Sequence, residues 1–331
     1  MTIAGSSRAW RATRRAFVAA AALSTLALAV PAAQAQDTVR IGLPTKTYWP
    51  TIVAETALRQ KLFQKEGIKA ELTVYRGGAE CFEALAAGAA DVILNSASFI
   101  SAGQKKGVMS RGVAGGALGY YGWHLVVRQD SKITSAAELE GKKVGITSAG
   151  SGSDMLALWT LQDRKLKFTR VPLGGGGLVP NLLSGNVDAV VLYSPLTFQF
   201  MKAKEVRSLI DYGAAVPPHL TSAWIASDKI IKEKPQVVQK TVNALYGAVA
   251  FLSDPKNRQE AVKLIAEIDE IPPEIAELEL DGNIKKLSAD GAIQKDWMVR
   301  AMDMAKLIGM TDLAPVEDSY VTTFKAVPTK P

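Results

Sequence analysis

Apolar and polar positions run through the same cycle twice. The first cycle opens on a short apolar run, "VRIGLP" (Val39–Pro44), followed by "TIVAETALRQKLFQKEG", whose apolar residues recur at helical spacing. The extended-reading "IKAELTVY", the helical "AECFEALAAG" and the apolar run in "ADVILNS" complete it. The second cycle opens with "KKVGITS" (Lys142–Ser148), then "SDMLALWTLQD", "KFTRVPL", "LVPNLLSG" and "VDAVVLYS". Each reads β-α-β-α-β. In both, a helix stops at a glycine (Gly88, Gly185), an aspartate follows (Asp91, Asp188), and a short apolar run begins. Glycine supplies the left-handed residue that ends a helix. Runs apolar on both faces suit parallel strands covered by helices. The pattern predicts an α/β fold of two doubly wound lobes.

The segments outside the cycles predict how the lobes are joined. "HLVVR" (His124–Arg128) and "TSAWIAS" (Thr221–Ser227) read as strands, and "SAAELEG" as a short capped helix ended by Gly141. Their stretches, Gly119–Gly141 and Tyr212–Ser227, read as two crossings between lobes, a two-segment hinge. Beyond Asp228 the pattern is helical: "KPQVVQKTVNALYGAVAFL", "PKNRQEAVKLIAEI", "PEIAELELDGNIKKL" and "KDWMVRAMDMAKLIG". These helices are expected to return to the first lobe. The expected division is 37–126 plus 222–331 for lobe 1 and 127–221 for lobe 2.

Composition changes this picture at one end. Of 331 residues and a formal charge of +7, four arginines (Arg8, Arg11, Arg14, Arg15) fall in the first 35 residues, which hold no acid. The rest is nearly balanced, with 35 basic and 32 acidic residues and no basic run, so a nucleic-acid partner is not expected. The arginines precede an apolar run, Ala16–Val30, and a small-x-small site at Ala33–Ala35. Such a run is short for a membrane span and reads as an export leader covering 1–35, of the general or the twin-arginine route. The mature protein is expected in the periplasm. A single cysteine, Cys81, permits no internal disulfide and reads as a buried apolar residue. His124 and His219 stand far apart, so neither a metal site nor histidine catalysis is expected. No cofactor is expected.

In open α/β sheets ligands sit at the carboxyl ends of the strands. That places candidate contacts in five loops. "PTKTYWP" offers Lys46 as a cation and Tyr48 and Trp49 as stacking rings. "YRGGAE" offers Arg76, and Gly77 for close backbone approach. "NSASF" offers Asn95, Ser96 and Ser98. "GITSAGSGSD" (Gly145–Asp154) resembles a nucleotide loop, yet Ser151 stands where a P-loop needs lysine and Met155 where a dinucleotide loop needs a third glycine. What remains is a helix start with free N–H groups and hydroxyls: Ser148, Ser151, Gly152 and Ser153. Asp154 repels an anion if it turns inward and caps the helix if it does not. "YSPL" offers Tyr193 and Ser194, with the glycines of "PLGGGGLV" nearby. Tyr120, Tyr121 and Trp224 are expected to wall the cleft.

The order "LFQKEGIKAEL…LAAGAADVIL…SKITSAAELEGKKVGITSAGSGSD…LLSGNVDAVVLYSPL…KEKPQVVQKTVNAL" resembles the periplasmic solute-binding proteins of ABC importers, in the sulfonate, nitrate, taurine and thiamine-precursor group. The resemblance covers roughly residues 38–255. It implies a non-enzymatic, monomeric two-lobe clamp of the type II binding-protein kind that hands a small molecule to an ABC permease. The serine and glycine cups with Lys46 and Arg76 favour an organic anion, a sulfonate or carboxylate, and the rings favour one with an aromatic or apolar body. Two other readings stay open: a ligand-sensing module for a membrane receptor, and an enzyme of the thiamine-pyrimidine kind, which the single cysteine and scattered histidines disfavour.

Overall fold

The computed structural model describes residues 36–327; the expected leader, 1–35, lies outside the described residues. The first cycle forms β1 (Asp37–Leu43), α1 (Trp49–Arg59), α2 (Leu62–Lys65), β2 (Ile68–Val74), α3 (Gly78–Ala86), β3 (Val92–Asn95), α4 (Ile100–Lys105) and β4 (Ser110–Ala117). The second forms β5 (His124–Arg128), β6 (Lys143–Ile146), α5 (Gly152–Arg164), β7 (Thr169–Pro172), α6 (Leu178–Leu183), β8 (Ala189–Leu192), α7 (Leu196–Lys202), β9 (Val206–Asp211) and α8 (Tyr212–Ala215). The return adds β10 (Ser222–Ser227), α9 (Asp228–Glu233), α10 (Pro235–Ser253), α11 (Arg258–Asp269), α12 (Pro273–Gly282) and α13 (Lys295–Leu307).

Two five-stranded sheets result, ordered β2-β1-β3-β10-β4 and β7-β6-β8-β5-β9. They share one topology, as the repeated cycle predicts. Each is mixed: β10 runs antiparallel to β3 and β4, and β5 antiparallel to β8 and β9. The reason lies in the crossings. A chain leaving one lobe at its cleft side enters the other at its cleft side, so its first strand runs away from the cleft. The strands "HLVVR" and "TSAWIAS" are therefore parts of the sheets, not the crossings. The crossings themselves are 118–123 and 212–221, and the expected division at 126–127 runs through β5.

The paired glycines and aspartates do the same work in both cycles. Gly88 and Gly185 take φ of 70° and 78°, the left-handed region that favours glycine. Asp91 Oδ2 accepts the Arg40 N–H at 2.9 Å, and Asp188 Oδ2 accepts the Lys143 N–H at 2.8 Å. Each aspartate thus fastens the end of its cycle to the first strand of the same cycle. β3 and β8 are buried along their whole length.

Two helical expectations are corrected. The stretch 51–67 is two helices, broken where Lys61 turns left-handed at φ 57°. "SAAELEG" makes a single turn, Ala136–Leu139, before Gly141 reverses the chain at φ 72°. The tail returns to the first lobe as expected, α10 packing on α1, α2 and β1. It also reaches the second lobe, α12 touching α7 and α13 touching α5.

Candidate ligand site

The carboxyl ends of β1, β3, β6 and β8 and both crossings converge on a cavity of about 40 Å³. From the first sheet come Thr45, Tyr48, Asn95 and Ser96; from the second, Thr147, Ser151, Gly152 and Tyr193; from the crossings, Tyr120, Trp123 and Thr221, with Ser222 opening β10.

Its polar half is built on the start of α5. Thr147 Oγ1, Ser151 Oγ and Ser153 Oγ form a triangle with sides of 2.9, 3.0 and 2.9 Å. The Thr147 N–H donates to Ser153 Oγ at 2.9 Å, which ties the strand end to the helix start. Ser151 caps the helix by accepting the Asp154 N–H at 3.3 Å. Asp154 turns away from the cavity: one oxygen accepts the Gly150 N–H at 2.8 Å and the other pairs with Arg170. Its side chain is 5% exposed, so the charge is neutralised inside the second lobe and the helix dipole faces the cavity unopposed. Across the cleft, Asn95 is held by donating to Gly78 O at 2.8 Å and accepting the Ser96 N–H at 2.7 Å. Two hydroxyls at the cavity, Thr45 Oγ1 and Ser222 Oγ, are buried without an aligned hydrogen bond in the protein, Thr45 lying beside the Tyr193 hydroxyl. A buried hydroxyl without a partner costs about 1–3 kcal/mol, which a ligand oxygen would recover.

The apolar half is a cluster of rings. Tyr48 meets Trp123 at 5.6 Å and 89°, and Tyr193 at 5.1 Å and 60°. Trp123 meets Tyr193 at 5.1 Å and Tyr120 at 6.1 Å. Burial raises the Tyr48 and Tyr120 phenols well above their ordinary range and lifts Tyr193 to about 12, so all three are neutral. Met155 on α5 accepts from Tyr120 at 3.1 Å and from Ser96 at 3.8 Å, a link across the cleft.

Behind Tyr193 lie two buried carboxyls, Asp269 at the end of α11 and Glu279 on α12. Burial lifts Asp269 to about 9, helped by Glu279. Burial lifts Glu279 to about 7, against hydrogen bonds from Ser194 and Asn283.

The other expected contacts lie outside the cavity. Lys46 pairs with Glu270 at 2.7 Å on the surface. Arg76 is 77% exposed beside Glu80. Trp49 and Trp224 meet edge to face at 6.1 Å inside the first lobe, where they fill core volume. Ser98 is buried in the turn Ala97–Phe99 that follows β3, and Tyr121 lies under the Lys286 ammonium, 5.0 Å from its ring centre. Ser153 forms the back of the hydroxyl triangle, and Ser194 accepts from Asn283 Nδ2 at 2.9 Å. Gly77 and Ser148 face each other instead of a ligand. A Cβ on Gly77 would collide with Ser148 Oγ, which accepts the Ala79 N–H at 3.3 Å. The contacts that the sequence reading passed over are Thr45, Trp123, Thr147, Thr221 and Ser222. Thr45 and Thr147 carry a signal, since a hydroxyl residue follows the first strand of each cycle. Among the described residues, no cluster of three histidine, cysteine or acidic side chains is placed to hold a metal. Cys81 is buried, and burial raises its thiol.

The chain is similar to known proteins over most of its length. A protein of Brucella abortus (strain 2308), provisionally named a binding protein, is 25% identical over 82% of this chain and 86% of its own. Among solved structures, the alkanesulfonate-binding protein SsuA of Xanthomonas axonopodis pv. citri, bound to MOPS, shares the fold with a TM-score of 0.73 and 19% identity, covering 86% of this chain and 96% of that one. The desulfurization enzyme DSZB is more distant in shape, with a TM-score of 0.57, 18% identity and coverage of 86% and 96%. Residues 32–266 match the model of the NMT1-like family, and the chain belongs to that family.

Proposed function

We propose that this chain is the solute-binding component of an ABC importer. It captures a small organic anion, a sulfonate or carboxylate, by closure of two lobes divided at 118–123 and 212–221, and presents the closed form to the permease in the periplasm. One observation carries the reading: two buried hydroxyls without an aligned hydrogen bond, Thr45 and Ser222, face a helix start and a hydroxyl triangle contributed by the opposite lobe. Neutral donors and a helix N-terminus recognise oxyanions without a fixed counter-charge. Likeness in sequence to the Brucella protein and in fold to SsuA, both named as binding proteins, supports the binding role.

Binding without chemistry is the preferred reading over an enzyme of the DSZB kind. The cavity is lined by neutral hydroxyls, an amide and phenols, while Cys81 and His219 sit elsewhere. Thermal unfolding of the purified chain against methanesulfonate, acetate, benzoate, nitrate and a pyrimidine tests the ligand class. The anions are expected to raise Tm, as any ligand that prefers the folded state does. Stabilisation by the pyrimidine alone overturns the reading.

A further inference from the structure

We propose that closing the lobes takes up a proton at Glu279, so that this chain holds its ligand more tightly in mildly acidic than in mildly basic medium. The inference rests on capture by closure of the two lobes. Glu279 lies on α12, in the tail that returns to the first lobe, where that helix packs on α7 of the second lobe. The packing is close: a Cβ on Gly282 would lie 2.9 Å from Phe198 Cζ. Asn283 Nδ2 donates to Glu279 Oε1 at 2.8 Å and to Ser194 Oγ at 2.9 Å, so one amide ties the carboxyl to the opposite lobe. Glu279 Oε2 is buried without an aligned hydrogen bond in the protein, and the Ser194 hydroxyl lies beside the carboxyl.

Among the described residues that face this carboxyl, none is a cation. From α11 it is Asp269, itself buried, and from the residue before α1 the Tyr48 phenol. The charged residue of α7 is Lys202, exposed at its far end. Lys46 acts on Asp269 from the surface, where it pairs with Glu270. On α12 and the turn after it, Glu274, Glu277, Asp281, Lys285 and Lys286 are exposed, and Arg258 and Lys285 hold Asp281. Burial therefore favours the protonated form and lifts Glu279 from 4.5 to about 7, against the hydrogen bonds from Ser194 and Asn283. Asp269, lifted to about 9, stays protonated through that window and adds no second charge. Opening carries Ser194 and Phe198 away with the second lobe and lets water reach Glu279, which returns toward its ordinary value. Between the two values the open form is ionised and the closed form protonated, the proton coming from solvent as the lobes meet. The help to closure is complete below the lower value and is lost as pH rises through the upper one.

Calorimetric titration with methanesulfonate at pH 5, 6, 7 and 8 reads the coupling, since this probe stays ionised throughout and brings no proton of its own. Wild-type affinity should fall at least about tenfold from pH 5 to pH 7. Titrations at pH 6 in two buffers of different ionisation enthalpy should count roughly one proton taken up per ligand bound. In Glu279→Gln, neutral at every pH, affinity should stay within about twofold across the range, with no proton taken up. Asp269→Asn should keep the wild-type slope. His124 and His219, both lowered by burial, are common to all three chains and cannot supply the difference. Circular dichroism checks that the variants fold. A wild-type affinity that is flat from pH 5 to pH 7, or that falls equally in Glu279→Gln, overturns this inference and leaves capture by closure standing. Methanesulfonate that binds at no pH overturns the anion reading instead, and small-angle scattering of the free chain then decides: contraction at pH 5 relative to pH 8, absent in Glu279→Gln, supports the proton-linked closure, and its absence in the wild type overturns it.

Discussion

The side chains that matter most at the cleft are small and uncharged. Thr45 and Ser222 each bury a hydroxyl that makes no aligned hydrogen bond in the protein, a destabilising arrangement. That cost separates a ligand contact from a structural one. Thr45→Val keeps the shape and removes the orphan hydroxyl. The free protein should be as stable or slightly more stable, by up to about 1 kcal/mol, while affinity for the anion falls about tenfold, the worth of a hydrogen bond to a charged group. Denaturant titration and calorimetry on the same variant read both signs. A loss of stability with unchanged affinity would make Thr45 a core residue. Asp154 is the opposite case. Its carboxylate is committed to Gly150 and Arg170, so the helix start in "GSGSD" faces the cavity without an opposing charge.

At the scale of elements, the helix pair α11–α12 brings a titratable wall against the second lobe. Burial lifts Glu279 from an ordinary 4.5 to about 7. Between those values the folded chain keeps a proton that the unfolded chain has released, so stability falls as pH rises through that window. Asp269, lifted from 3.8 to about 9, extends the decline upward. Glu279→Gln keeps the amide-compatible bond from Asn283 Nδ2, now 2.8 Å to Oε1, and removes the titration. Its stability should match wild type near pH 4 and exceed it at pH 8; urea unfolding at pH 4, 6 and 8 checks this, and parallel curves would refute it. None of this was legible in the sequence, where Glu279 sits in "ELELDG" among acids that face solvent. What was legible were features with local causes: the cycle of strands, the glycine stops at Gly88 and Gly185, the helix start at Ser151. Trp49, Trp224, Lys46 and Arg76 were expected in the cleft because their chemistry suits it. Their direction is set by packing between distant segments, and it sent the tryptophans into the core and the cations to the surface. Thr221 and Ser222 were missed for the same reason, since their strand joins the first sheet only after the chain has crossed twice.

At the scale of the whole molecule, the glycine loops that read as ligand cups turn out to be where the lobes touch. Gly175 donates its N–H to Arg76 O at 3.0 Å across the cleft, and the Gly77 loop receives Ser148. Around them Asn283 to Ser194, the Met155 contacts and the ring cluster also join the two lobes near the site. A clamp closes on its ligand when the ligand's own bonds add to such contacts. Moving a two-state balance from 1:99 to 99:1 takes about 5.5 kcal/mol of differential binding, within reach of a few charge-assisted hydrogen bonds. Gly175 makes the dependence testable. A Cβ there would lie 2.5 Å from Thr45 Cγ2 and 2.7 Å from the Tyr193 hydroxyl, groups of both lobes. Gly175→Val should therefore block closure while leaving both sheets intact. Small-angle scattering should show the wild-type chain contracting on addition of the anion and the variant staying extended. Affinity should drop at least tenfold, because the variant reaches the binding-competent state less often. Its unfolding midpoint without ligand should fall only by the cost of easing the Cβ past Tyr193 within the same lobe. A variant that contracts and binds like wild type would mean that the lobes do not need the approach at Gly175 to capture the ligand.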